Sequence, residues 1–156
     1  MPLDLEAARA AIARYPSPRS AMLTLLWQAQ EADGWVTPQT VTTVAELLGL
    51  TASEVESVLS FYSMYRRTPP AQRRLQVCRS LACAMKGAEE ILSHLRAETG
   101  VGPGETASDG SFSVEVVECL AACDHAPACL WNERMEGPLD KQDALRRLRG
   151  EGGDRA

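Results

Sequence analysis

No stretch of the chain approaches the roughly 20 apolar residues that a bilayer-spanning helix requires. The opening residues Met1 to Glu6 carry no basic run followed by an apolar one, and they are too acidic for a transit peptide, so a cytoplasmic protein is expected. No G-x-G-x-x-G follows a candidate strand, and there is no phosphate-cradling glycine loop and no serine-centred elbow. The chain therefore shows no site of its own for a nucleotide or a flavin. Histidine occurs twice, at His94 and His125, too sparsely for the paired C-x-H boxes of a Rieske centre. There is no C-x-x-C dithiol. A net charge of −5, spread so that both halves are mildly acidic, argues against a nucleic-acid-binding surface.

At 45% hydrophobic and 24% charged the composition is that of an ordinary globular chain, and 156 residues suffice for one domain or two small ones. The first half lacks cysteine and reads as helices. Leu5, Ala8 and Ile12 recur at helical spacing until Pro16 and Pro18 intervene. Met22, Leu25, Leu26 and Ala29 share a face of a second helix that stops at Gly34. Thr37 and Pro38 form a cap and a first turn for a third, which carries Val41, Val44, Ala45 and Leu48 and closes at Gly49. Thr51 and Glu54 match a capping box, opening a fourth helix with Val55, Val58, Leu59 and Tyr62 inward. These stripes are read as core.

Pro69 and Pro70 break the helical pattern and set a boundary, giving a helical domain over 1–70, a second domain over 71–150 and a loose tail over 151–156. In the second domain Leu75 to Val77 form a short strand that runs into Cys78. A helix is expected from Ala84 to about Glu98, with Ala88, Ile91, Leu92 and Leu95 inward and His94 in solvent. Phe112, Val114 and Val116 alternate with Ser113 and Glu115, so a half-buried strand runs into Cys119. Ala128 to Trp131 form another short strand, Asn132 and Glu133 a turn, and Asp140 to Leu148 a last helix. The order strand, helix, strand, strand, helix predicts an α+β fold with helices against a small sheet.

All five cysteines lie between Cys78 and Cys129. Thiols stay reduced in a cytosol, so such a cluster points to metal binding or redox chemistry before disulfides. Cys78-x4-Cys83 and Cys119-x3-Cys123 each stand where a strand gives way to a loop, and ligands gather at such strand ends. Four thiolates suit an iron–sulfur cluster or a structural zinc. Zinc knuckles favour two-residue gaps, whereas gaps of four and three suit a wider rhomb in which each pair holds a different iron. The spacing thus favours a 2Fe–2S centre, with a zinc-stapled interaction module and unligated thiols as the alternatives. Cys129, inside an apolar strand, is read as a buried inert thiol, His125 as a loop histidine making ordinary hydrogen bonds, and Arg79 as a surface arginine beside the site.

At these residues the sequence resembles the NuoE family, the small 2Fe–2S subunit of the NADH dehydrogenase module of respiratory complex I. The resemblance runs over about residues 12 to 148. It is carried by Tyr15-Pro16, Arg19-Ser20-Ala21, Gln30-Glu31 with Gly34-Trp35, Phe61-Tyr62-Ser63-Met64, Val77-Cys78, Leu81-x-Cys83, Val117-Glu118-Cys119-Leu120-x-x-Cys123 and Ala126-Pro127. The resemblance implies a helical bundle followed by a thioredoxin-like 2Fe–2S ferredoxin domain, with Cys78, Cys83, Cys119 and Cys123 as the ligands. It implies a partner subunit that carries FMN and oxidises NADH, further iron–sulfur subunits, and attachment to the inner face of the cell membrane only through such a complex. The same family includes subunits of NAD-dependent formate dehydrogenases and NAD-linked hydrogenases. Ala121 departs from the family's usual glycine, which matters if that backbone needs a positive φ.

Overall fold

A computed structural model describes residues 3–151. The tail expected over 151–156 lies, apart from Glu151, outside the described residues. The chain divides into two compact units, one ending at Pro70 and one starting at Ala71.

The first unit is helical. Helix α1 (Leu5–Ile12) starts on Asp4, whose carboxylate accepts from the Glu6 and Ala7 N–H groups at 2.9 and 3.2 Å. A 3₁₀ turn (Pro18–Ala21) leads into α2 (Met22–Asp33), which stops at Gly34. Helix α3 (Pro38–Leu48) is capped by the Thr37 hydroxyl, which accepts from the Thr40 N–H at 3.1 Å, and stops at Gly49. The capping box opens α4 (Ala52–Phe61), with the Thr51 N–H donating to Glu54 at 3.0 Å and the Glu54 N–H to Thr51 at 3.3 Å. Leu25, Leu26, Val36, Val44 and Val55 are fully buried in the core, and each such side chain contributes roughly 2 kcal/mol. Tyr62 differs from expectation: α4 ends at Phe61, and Tyr62 is extended and exposed. The chain turns away there because the buried Gln30 amide holds it. Gln30 donates to the Met64 carbonyl at 3.0 Å and accepts from the Arg66 N–H at 2.6 Å.

The second unit is α+β. Its sheet has the order β2-β3-β1-β4-β5. Strand β1 (Arg73–Cys78) pairs in parallel with β3 (Phe112–Val117), with Cys78 opposite Val117. Strand β4 (Cys129–Trp131) runs antiparallel to β1, with Val77 opposite Cys129. A parallel neighbour requires a crossover. Helices α5 (Leu81–Met85) and α6 (Ala88–Thr99) supply it. Ile91, Leu92 and Leu95 of α6 and Leu145 and Leu148 of α7 (Lys141–Leu148) form one buried cluster with Leu75, Val77, Val114 and Trp131.

Four expectations change. The helix predicted from Ala84 is two helices, because Gly87 at φ +92° breaks the run, and Cys83 lies on the first of them rather than in a loop. His94 is half-buried beside the α6 stripe, and its Nε2 is shielded from solvent with no hydrogen-bond partner among the described residues. Two strands add to the sheet, β2 (Glu105–Thr106) on β3 and β5 (Arg134–Glu136) on β4. Asp140 is the cap of α7 rather than its first residue, accepting from the Gln142 and Asp143 N–H groups at 2.9 and 3.0 Å.

Candidate metal centre

Strand direction decides where the cysteines meet. Because β1 and β3 are parallel and end in register, both release the chain at the same edge of the sheet, which places Cys119 two residues beyond the partner of Cys78. The Arg79 N–H extends the ladder by donating to the Val117 carbonyl at 3.1 Å. On the other flank the Cys78 N–H donates to the Ala128 carbonyl at 3.0 Å. The 118–128 segment therefore leaves beside one flank of β1 and returns along the other, arching over the strand end that carries Cys78. Arg79 and Glu118 pair across the two loops at 3.5 Å, but at 58% and 83% side-chain exposure the pair adds little. Arg79 is the surface residue expected.

Cys78 and Cys83 are buried, while Cys119 and Cys123 are exposed. The Cys78 and Cys83 thiols are within hydrogen-bond contact, and Cys123 stands close enough to Cys83 to act on it electrostatically. Burial pushes Cys78 up, but the Ser80 and Leu120 N–H groups and the neighbouring thiol outweigh it and hold Cys78 below the usual thiol range. Cys83 goes the other way: burial raises it, and the Ala128 N–H at 3.4 Å only partly offsets that. The Leu120 amide reaches the Cys78 sulfur, which brings the backbone that follows Cys119 to the end of β1. The Cys119 sulfur accepts from the Ala121 N–H at 3.3 Å. Cys123 begins a 3₁₀ turn (Cys123–His125).

The donor set matches a 2Fe–2S cluster. An all-thiolate cluster is anionic, and N–H groups aimed at its sulfurs stabilise that charge. Four such groups, from Ser80, Leu120, Ala121 and Ala128, already point at three of the thiols. Among the described residues no three His, Cys, Asp or Glu side chains close on a single ion. A two-iron rhomb asks for only two protein sulfurs at each iron.

The remaining residues fall outside the donor set. Cys129 is fully buried in β4, and burial, with Glu136 nearby, pushes its thiol up to about 12. A thiol held neutral is neither nucleophile nor ligand. We expect Cys129 to resist alkylation in the folded protein near pH 8 and to react once the chain is unfolded, as peptide mass spectrometry will show. A raised thiol pKa favours the fold below the unfolded value of about 8.5 and loses that contribution as pH climbs toward the folded value. The cluster-free protein should therefore weaken above that pH more than its Cys129→Val variant does. His125 donates from Nδ1 to Asp124 at 2.9 Å, a bond that holds the Asp124 carboxyl below its usual range.

Ala121 has φ +56°, in the left-handed region that costs a residue with a Cβ about 1 kcal/mol or more. Ala121→Gly should stabilise the second unit by about 0.5–1 kcal/mol, read by denaturant titration. Two further features of this end carry no local sequence signal. Arg147 lies 4.1 Å over the Trp131 ring while gripping Glu136, and Gly137 packs against the His125 backbone.

A helix-backed mixed sheet with thiols gathered at the end of its central strand is the frame of a thioredoxin-like domain that offers sulfur donors to a metal group. Residues 8–150 match the family model described as thioredoxin-like [2Fe-2S] ferredoxin. The chain is 43% identical over 148 residues to NADH-quinone oxidoreductase subunit 2 of Thermus thermophilus, covering 87% of this chain and 82% of that protein. It is 41% identical over 145 residues to an NADH-quinone oxidoreductase subunit of Mycobacterium tuberculosis, covering 89% of this chain and 58% of the longer relative. Among solved structures, an NAD+-reducing [NiFe]-hydrogenase in the H2-reduced state superposes with a TM-score of 0.74 over 85% of this chain and 23% of its own. At 23% identity that likeness speaks for the fold alone. The chain belongs to the thioredoxin-like [2Fe-2S] ferredoxins, and its cofactor is a 2Fe–2S cluster, which sets the zinc alternative aside.

Proposed function

We propose that the chain is the small 2Fe–2S subunit of an NADH:quinone oxidoreductase, holding its cluster through Cys78, Cys83, Cys119 and Cys123 and exchanging single electrons with FMN on a partner subunit. The observation that carries this is the arch of 118–128 over the end of β1, which groups two buried and two exposed thiols at one edge of the sheet. The relatives named as oxidoreductase subunits supply the host. A 2Fe–2S cluster supplies a one-electron redox site of low potential, of the order of −400 mV for an all-thiolate set. The chain's residues do the rest. Cys78 and Cys83 anchor one side of the site in the core, and the N–H groups of Ser80, Leu120 and Ala128 offset negative charge on the sulfurs. The exposed Cys119 and Cys123 leave the other side at the surface, where electrons enter and leave. No helix among the described residues is long and apolar enough to cross a membrane, which fits a peripheral subunit held at the inner face of the membrane by its complex.

The purified chain should carry about two irons and give a 2Fe–2S paramagnetic signal on reduction with dithionite. Alone it should not oxidise NADH; it should co-purify with the flavin-bearing subunit, and in that complex its cluster should take up one electron when the potential is poised below about −400 mV. NADH turnover by the isolated chain, or a cluster in that complex that accepts no electron even from dithionite, overturns the relay role. Subunits recovered with it distinguish a quinone reductase from a formate dehydrogenase or a hydrogenase.

A further inference from the structure

We propose that Gly137 is a positioning residue for the cluster: the hydrogen in place of a side chain lets the β5–α7 connection press on the His125 backbone and hold the turn that carries Cys123. This rests on Cys83 and Cys123 being ligands. A Cβ built on Gly137 would overlap the His125 carbonyl oxygen and would stand 3.1 Å from the His125 Cβ and 3.2 Å from its carbonyl carbon. Its φ lies outside the left-handed region, so the demand for glycine here is one of space, not of conformation.

Both sides of the contact are backbone, and both are anchored. Immediately before Gly137, the Glu136 carboxylate accepts two hydrogen bonds from Arg147, at 2.6 and 3.0 Å. The Arg147 side chain is only 5% exposed and stacks on Trp131. Two residues after Gly137, the Leu139 N–H donates to the Pro127 carbonyl at 2.7 Å. The connection is therefore clamped to α7 at one end and to the ligand arch at the other, with Gly137 wedged between.

What the wedge holds in place is the last part of the arch. His125 closes the turn begun by Cys123, and three residues later the Ala128 N–H meets the Cys83 sulfur. An added methyl must push the His125 carbonyl away, moving Cys123 from one direction and the Ala128 N–H from the other. A pocket of about 380 Å³ bordered by Ala122, His125 and Gly137 gives the displaced turn room to shift while the domain stays folded.

The test compares holoproteins. In Gly137→Ala, cluster loss to an iron chelator should accelerate by on the order of tenfold, the size of effect seen when a group supporting a metal ligand is removed. The reduction potential and the paramagnetic line shape should move with it. Gly104→Ala is the control for strain without a clash: its φ of +84° disfavours a side chain, but a Cβ there meets nothing, and the residue sits by the opposite edge strand. It should keep the wild-type loss rate, signal and potential. Arg147→Lys, which gives up the two-pronged grip on Glu136, should move all three readouts the same way by less, and it carries the test if Gly137→Ala does not accumulate folded. Wild-type behaviour in Gly137→Ala, wild-type behaviour in Arg147→Lys where that variant carries the test, or equal changes in Gly104→Ala, overturns the proposal. Full cluster content in Cys83→Ala or Cys123→Ala would instead sink the ligand assignment beneath it.

Discussion

Cys83→Ala should abolish the 2Fe–2S signal and leave a second unit that is looser even without iron. Two effects add. Under the proposed ligand set, removing this thiolate leaves an iron one ligand short, and in small metal domains metal binding and folding are the same free energy. The side chain is also buried in the main hydrophobic cluster at 2% exposure. Losing its sulfur removes roughly a methyl's worth of burial, about 1 kcal/mol, and deprives the Ala128 N–H of its acceptor. Cys119→Ala separates the two effects. Its sulfur is exposed, so the cluster should be lost while the cluster-free protein keeps its denaturation midpoint. Iron analysis and denaturant titration of both variants check this. Unchanged iron content in either would contradict the ligand set.

Arg147→Ala should destabilise the second unit by about 3–5 kcal/mol, the largest single-residue effect expected away from the cysteines. Removing one partner of a buried ion pair strands the other in a poorly solvated place. Here Glu136, 20% exposed at its side chain, would lose both hydrogen bonds from the guanidinium. The Trp131 ring would lose the cation over its face as well. Arg147→Met, which keeps much of the packing over Trp131 but not the charge, should recover only part of the loss. Thermal or chemical unfolding of the cluster-free forms provides the measurement. A loss below about 1 kcal/mol in the alanine variant, the size of an exposed pair, would show that water already solvates Glu136.

The helical half was legible because its signals are local. Thr37 and Pro38, Thr51 and Glu54, and the stops at Gly34 and Gly49 act within one turn of chain, so consecutive residues encode them. The cysteine spacing is a local signal too, and it narrowed the cofactor to an iron–sulfur cluster or zinc, although Cys83 stands on α5 rather than in the loop expected. Gly87 broke a helix that periodicity alone ran straight through, because a left-handed residue resets the face without interrupting the apolar pattern. Gln30 entered the sequence reading only as part of a family motif, and only the fold shows its amide buried and holding the chain at Met64 and Arg66.

By itself the sequence determined the class of protein: helices before an α+β layer, and clustered cysteines in the second half that pointed to a 2Fe–2S cofactor. Tertiary structure alone decided that the arch from Val117 to Ala128 straddles the end of β1, that Arg147 lies between Trp131 and Glu136, and that Gly137 meets the His125 carbonyl. The physical reason is range. Caps and spacings depend on neighbours along the chain. These contacts join residues brought together only by strand register and loop closure, and no short window of sequence contains both partners.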